Sequence, residues 1–110
     1  MRERDIEKVL VDEVRKAGGR AYKFTSPGND GVPDRIVLIP DGQIIFVELK
    51  TEVGRLTRLQ RIQCERIRDL GQKVRVLHGL REVSEFFEEF GMAEAAERIQ
   101  RRAERRDDGV

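Results

Sequence analysis

The sequence predicts an α/β fold in which a mixed central sheet is flanked by helices, in the order α-β-β-β-α-β with extra helices at the C-terminal end. Three observations carry this expectation. Two segments place apolar residues at the spacing of one helical face. Two β-branched, aliphatic runs, 34–39 and 43–50, are separated by Pro40-Asp41-Gly42 and read as a hairpin. Charged residues make up 39% of the chain and aromatics only 5%, which suits charged helix surfaces over an aliphatic interior.

The elements follow in order. Residues 3–17 form an amphipathic helix with Ile6, Val9, Leu10 and Val14 on one face, stopped by Gly18-Gly19. Residues 20–24 are a short strand, and 25–31 a loop rich in glycine and small polar groups. The hairpin strands 34–39 and 43–50 come next, then a connection at 51–55. Residues 57–70 are a helix with Thr57 as N-cap and Leu59, Ile62, Gln63, Ile67 and Leu70 as its stripe. Residues 73–77 alternate like a half-exposed strand. A third helix over 80–90 carries Val83, Phe86, Phe87 and Phe90. Beyond Gly91, residues 92–106 are helical with a thin stripe of Met92, Ala95, Ala96, Ile99 and Ala103. The expected organisation is one domain over 1–91 and a helical extension over 92–110, fraying after about residue 104.

The hairpin organises the chemistry. A three-residue loop at 40–42 sets Ile39 opposite Gln43, with Pro40 opening a type I turn, Asp41 in the bridge region and Gly42 left-handed. Counting back places Asp34 opposite Glu48, whereas a two-residue loop would place it opposite Leu49. Directly opposed residues hold their Cβ atoms about 4.5–5.5 Å apart. Two carboxylates at that separation repel unless a cation lies between them, and Mg²⁺ is held by one or two carboxylates with waters and phosphates. Glu48 and Lys50 share one strand face.

Bulk properties exclude several classes. A net charge of +1 is not the footprint of DNA binding by overall attraction, so local clusters must serve. The single cysteine, Cys64, excludes an intrachain disulfide and a cysteine metal cluster. His78 is alone and reads as structural. Five Phe, one Tyr and no Trp offer no evident platform for stacking single strands. No apolar run is long enough to span a bilayer and no signal-peptide pattern opens the chain. A reducing cytoplasm is the expected setting.

Lys23-Phe24, Ser26-Pro27-Gly28, Gly31-Val32-Pro33-Asp34-Arg35, Phe46-Val47-Glu48-Leu49-Lys50, Gly54 with Leu56, and Gln60 together resemble the VRR-NUC family, a branch of the PD-(D/E)xK nucleases. The resemblance spans roughly residues 3 to 79 and is closest to the short stand-alone phage and bacterial type. It implies a restriction-endonuclease-like PD-(D/E)xK core and a Mg²⁺- or Mn²⁺-dependent DNA endonuclease, acting on branched DNA such as four-way junctions as a homodimer. Asp34, Glu48 and the Leu49 carbonyl would hold the metal, and Lys50 would position the attacking water or stabilise charge on the phosphate. An acidic residue of the first helix, Glu7 with Glu3 as its neighbour, would reach the site, and Gln60 would face it. As surface groups, these carboxylates would contribute little to stability.

Further residues are candidates for DNA contact: Lys23, Ser26, Arg35, Arg55, Arg58 and Arg61, with Tyr22 and Arg68 beside them and the arginines 101, 102, 105 and 106 of the tail. The alternatives are a less selective or flap-type phage nuclease and a non-catalytic DNA-binding module of the same fold, whose mark would be a broken Asp–Glu–Lys set. Phe86, Phe87 and the tail stripe are the surfaces offered for a dimer.

Overall fold

The computed structural model describes residues 1–108. Helix α1 (Glu3–Lys16) leads into strands β1 (Arg20–Lys23), β2 (Arg35–Ile39) and β3 (Gln43–Lys50). Helix α2 (Arg58–Asp69), strand β4 (Lys73–His78) and helices α3 (Gly79–Glu89) and α4 (Ala93–Asp108) complete it. The four strands lie in sequence order in one sheet, β1-β2-β3-β4. The first two pairings are antiparallel, and β3 and β4 run parallel through the α2 crossover.

The strand alternation sorts the sheet into two faces. Val37, Ile39, Ile45, Val47, Leu49 and Leu77 point into a core closed by α1, α3 and α4. The opposite face carries Ile36, Leu38, Ile44, Phe46 and Glu48, and α2 covers it only on the β4 side, where Cys64 and Val74 are buried.

Register matches the expectation, with Ile39 opposite Gln43 and Arg35 opposite Val47. The turn itself differs. Asp41 lies at φ 75° and Gly42 at φ 82°, so both take the left-handed region and Asp41 is not in the bridge region. Aspartate tolerates that conformation through its short polar side chain.

The stripe expected on α2 is also displaced. Leu59 is 49% exposed and Leu70 78% exposed, while Cys64 is the buried residue. Ile62, Gln63 and Ile67 of the expected stripe do turn inward, joined by Gln60 and Cys64, because Gln60 bonds to a buried carboxylate on the sheet (below) and fixes the helix rotation.

The C-terminal helix departs from its expected looseness. Ala95, Ala96, Ile99 and Ala103 are buried in the same core as α1, and Phe86 and Phe87 are buried too, so the surfaces offered for a dimer are consumed within one chain. Arg98 of α4 donates to the buried Glu13 of α1 from Nη2 to Oε1 at 2.7 Å and from Nε to Oε1 at 3.1 Å and Oε2 at 3.3 Å. Ser84 Oγ donates to the Ala96 carbonyl at 2.8 Å, and Arg81 pairs with Asp107. Held this way, the helix continues to Asp108, past the point of expected fraying. The final Gly-Val of the tail lies outside the described residues.

Candidate active site

The site forms where β3 ends under the N-terminus of α2. Asp34 stands just before β2, and its backbone carbonyl accepts from Phe24 N at 2.9 Å. Its carboxylate reaches across to β3, where Oδ2 accepts from Leu49 N at 2.9 Å. That bond ties the two strand ends together and leaves Oδ1 unused by it.

Glu48 faces the α2 side of the sheet and is only 1% exposed. Oε2 accepts from Gln60 Nε2 at 3.0 Å and lies 3.6 Å from Lys50 Nζ. Oε1 is buried with no hydrogen-bond partner. Burial, and then the neighbouring Asp34 charge, push the Glu48 carboxyl up to about 7, against the pull of Lys50. Lys50 is itself 7% exposed and lies 4.0 Å from Glu3 Oε2. Glu48 and Lys50 are therefore buried groups and not the surface groups of the sequence reading. At this end of β3, Gln60 of α2 covers Glu48 and Glu3 of α1 approaches Lys50.

Gln60 has two structural partners for one amide. Thr57 Oγ1 accepts from Gln60 N at 3.1 Å, and Thr57 N donates to Gln60 Oε1 at 2.9 Å, a capping box. The remaining amide nitrogen holds Glu48. Helix capping and carboxylate orientation are thus joined in one side chain. Gln60→Glu should keep the box, lose the donor to Glu48, and lower cleavage by roughly 10- to 100-fold. Thr57→Ala should instead cost about 1 kcal/mol of stability with cleavage near that of the parent. Melting curves and cleavage rates of the two variants separate these effects, and equal rates would remove the role of Gln60.

The first helix contributes a different residue from the one placed first in the sequence reading. Glu7 Oε2 accepts from Arg35 Nε at 2.6 Å and Lys23 Nζ at 3.3 Å, and Arg35 Nη1 donates to the Ala21 carbonyl at 3.0 Å. Arg35 is the register partner of Val47, a core residue, so this cluster lies on the α1 face of the sheet, opposite Glu48. Glu3, one turn earlier, is the α1 carboxylate that comes close to Lys50. Arg35 and Lys23 are engaged by Glu7, and Ser26 Oγ accepts from Asn29 Nδ2 at 2.9 Å within its own loop. Arg55, Arg58, Arg61 and Arg68 are exposed and have no carboxylate partner among the described residues.

The donor set suits a hard divalent cation. Two carboxylates share the site, one has a buried oxygen without a partner, and Lys50 alone does not compensate it. Among the described residues no cluster of three or more His, Cys, Asp or Glu side chains forms a metal cage. The pair therefore resembles a site that relies on waters and substrate oxygens for the rest of its shell, as Mg²⁺ sites do.

Comparison with known proteins places this arrangement. Residues 2–81 match the model of the VRR-NUC domain. The chain belongs to the VRR-NUC family. It is 54% identical over 77 residues to "Putative nuclease p44" of Acyrthosiphon pisum secondary endosymbiont phage 1, covering 70% of this chain and 83% of that protein. A solved structure of a VRR-NUC domain superposes with a TM-score of 0.74 at 31% identity, covering 78% of this chain and 94% of the other. The VRR-NUC match includes Asp34, Glu48, Lys50 and Gln60 and ends before α4. Sequence reasoning placed Glu7 ahead of Glu3 and missed the burial of Glu48 and Lys50. Its signal was available in Thr57-x-x-Gln60, a capping box that fixes how α2 meets the sheet.

Proposed function

We propose that this chain is a Mg²⁺- or Mn²⁺-dependent DNA endonuclease, selective for branched DNA such as four-way junctions and acting as a homodimer. The coarser reading, a nuclease with DNA as its substrate, follows from VRR-NUC membership and the phage relative named as a nuclease. The observation that supports the metal dependence is the buried, unpartnered Glu48 Oε1 next to Asp34 and Lys50, whereas branched-DNA selectivity and the dimer rest on the family resemblance.

Asp34, Glu48 and the Leu49 carbonyl are the residues that would hold the cation. When bound, it supplies Lewis acidity that polarises a phosphodiester and activates water at neutral pH. Asp34 is oriented for this by its bond to Leu49 N, and Glu48 by Gln60. Lys50 presents its ammonium beside Glu48, where it stabilises negative charge developing on phosphate oxygens. Glu3 restrains that ammonium from the α1 side. The unpaired arginines near and along α2 meet the DNA backbone and set register without reading sequence.

Symmetry supports the dimer, since a four-way junction presents equivalent strands to a protein with one site per chain. The test is cleavage of matched four-way junction, flap, duplex and single-stranded DNA with each metal, beside Lys50→Ala, with solution mass by light scattering. Metal-dependent cutting of the junction that Lys50→Ala loses, at twice the 12.7 kDa chain mass, is the expected result. Preferential cutting of flaps or plain duplex discards junction selectivity. A folded protein that binds DNA and cuts nothing is the non-catalytic module.

No helix among the described residues is long and apolar enough to cross a membrane.

A further inference from the structure

The sheet face that carries Glu48 is left largely open beyond α2. Ala21 of β1 packs on the core and Lys23 bonds Glu7, so Arg20, Tyr22 and Phe24 project on the other side. Register then sets Tyr22 beside Ile36, Ile36 beside Phe46, and Leu38 beside Ile44. Tyr22 is 56% exposed and Ile44 50% exposed, and the Phe24 and Phe46 rings lie 5.6 Å apart at 54°. An aromatic platform is present after all, assembled from Tyr22 and Phe24 of one segment and Phe46 from a strand 22 residues later.

We propose that this face stacks unpaired nucleobases of the DNA substrate, so that the substrate class is DNA with an unstacked nucleotide next to the scissile phosphate. The proposal deepens the nuclease reading and takes from it the identity of the ligand as DNA. Continuity with the site is one ground. Phe24 N donates to the Asp34 carbonyl, and Phe46 precedes Glu48 by one full strand repeat on the same face, about 6.6 Å of strand rise. Charge is the second ground. Arg20 sits on this face without a carboxylate partner among the described residues.

A symmetric second copy would set Arg20 against like charge. A phosphate neutralises it, and base faces cover the rings in any sequence.

The test is binding without divalent cation, so that no cleavage enters. Labelled single-stranded DNA, duplex of the same sequence, and duplex with a 2-aminopurine bulge are titrated with the parent, Tyr22→Ala and Tyr22→Phe. Tyr22→Ala should weaken the single strand and the bulge by about 5- to 150-fold, the range for one base–aromatic stack. Duplex affinity should not change, 2-aminopurine quenching should fall, and Tyr22→Phe should retain both. Unchanged binding, an equal loss on all three DNAs, or a dimer that Tyr22→Ala splits would each overturn the proposal. The last of these would assign the face to a second copy. Tyr22-dependent base binding by a protein that cuts nothing would leave this proposal standing and remove the nuclease reading, whereas metal-dependent cutting with no effect of Tyr22→Ala on binding would do the reverse.

Discussion

Glu48→Gln should abolish cleavage and, in the absence of divalent cations, make the protein more stable at pH 8. Loss of activity should be about 1,000-fold or more, the scale of removing a group that directly stabilises charge in the reaction. The gain in stability comes from burial. Glu48 is folded into a site that raises its carboxyl from the ordinary 4.5 to about 7. A raised carboxyl favours folding while it is protonated, below the unfolded value. That contribution is lost as pH rises through about 7, where a buried carboxylate must be carried.

The metal-free parent should therefore lose stability between about pH 4.5 and 7 relative to Glu48→Gln, which carries no such proton. After allowance for solvent screening at the strand end, the difference at pH 8 is about 1–3 kcal/mol, several degrees in melting temperature. Parallel pH-dependent melts in chelator measure it. Identical curves for the two proteins would mean that Glu48 is solvated and the site is not as described.

Gly31→Ala should be strongly destabilising for a change of a single methyl group. Gly31 lies at φ 92°, and an added Cβ would stand 2.6 Å from Leu59 C, 2.7 Å from Leu59 O and 2.8 Å from Gln60 N. These are backbone atoms of the first turn of α2, which cannot turn aside as a side chain would. The left-handed conformation alone costs an alanine about 1–2 kcal/mol, and the overlap should bring the total to about 3 kcal/mol or more. Because the displaced turn carries Gln60, cleavage by the folded fraction should also fall.

Gly28→Ala is the control, since it has a similar φ of 82° with nothing within 4 Å of the added carbon. Its cost should stop at the conformational part. Denaturant melts of both variants decide the point, and equal losses would show that the loop does not seat against α2.

The parts of this structure that were legible from sequence are those that local chemistry dictates. Alternation and turn residues gave the hairpin register, and through it the nearness of Asp34 to Glu48. Helix periodicity gave α1 and α3 directly. What was not legible depended on which face of a helix wins when a buried polar bond competes with apolar area. The Leu59–Leu70 stripe looked like the core side of α2, yet Gln60 bonded to Glu48 outranks it and leaves both leucines exposed. Glu7 lay beside the apolar stripe of α1, but Arg35 and Lys23 on the core face capture it, and only Glu3 extends past the sheet end to Lys50. The thin alanine stripe of α4 gave no hint of its stability, because the Glu13–Arg98 pair that fastens it joins residues at opposite ends of the chain.

Calorimetric titration of chelator-stripped protein with Mn²⁺ at pH 7, parent beside Glu48→Gln, tests the central claim that Asp34 and Glu48 form a cation site. The parent should bind saturably and release protons, seen as a dependence of the heat on buffer, because Glu48 is only partly ionised at that pH before the cation enters. Glu48→Gln should bind far more weakly and release none. Equal binding by the two proteins, with no proton release from the parent, would contradict the assignment.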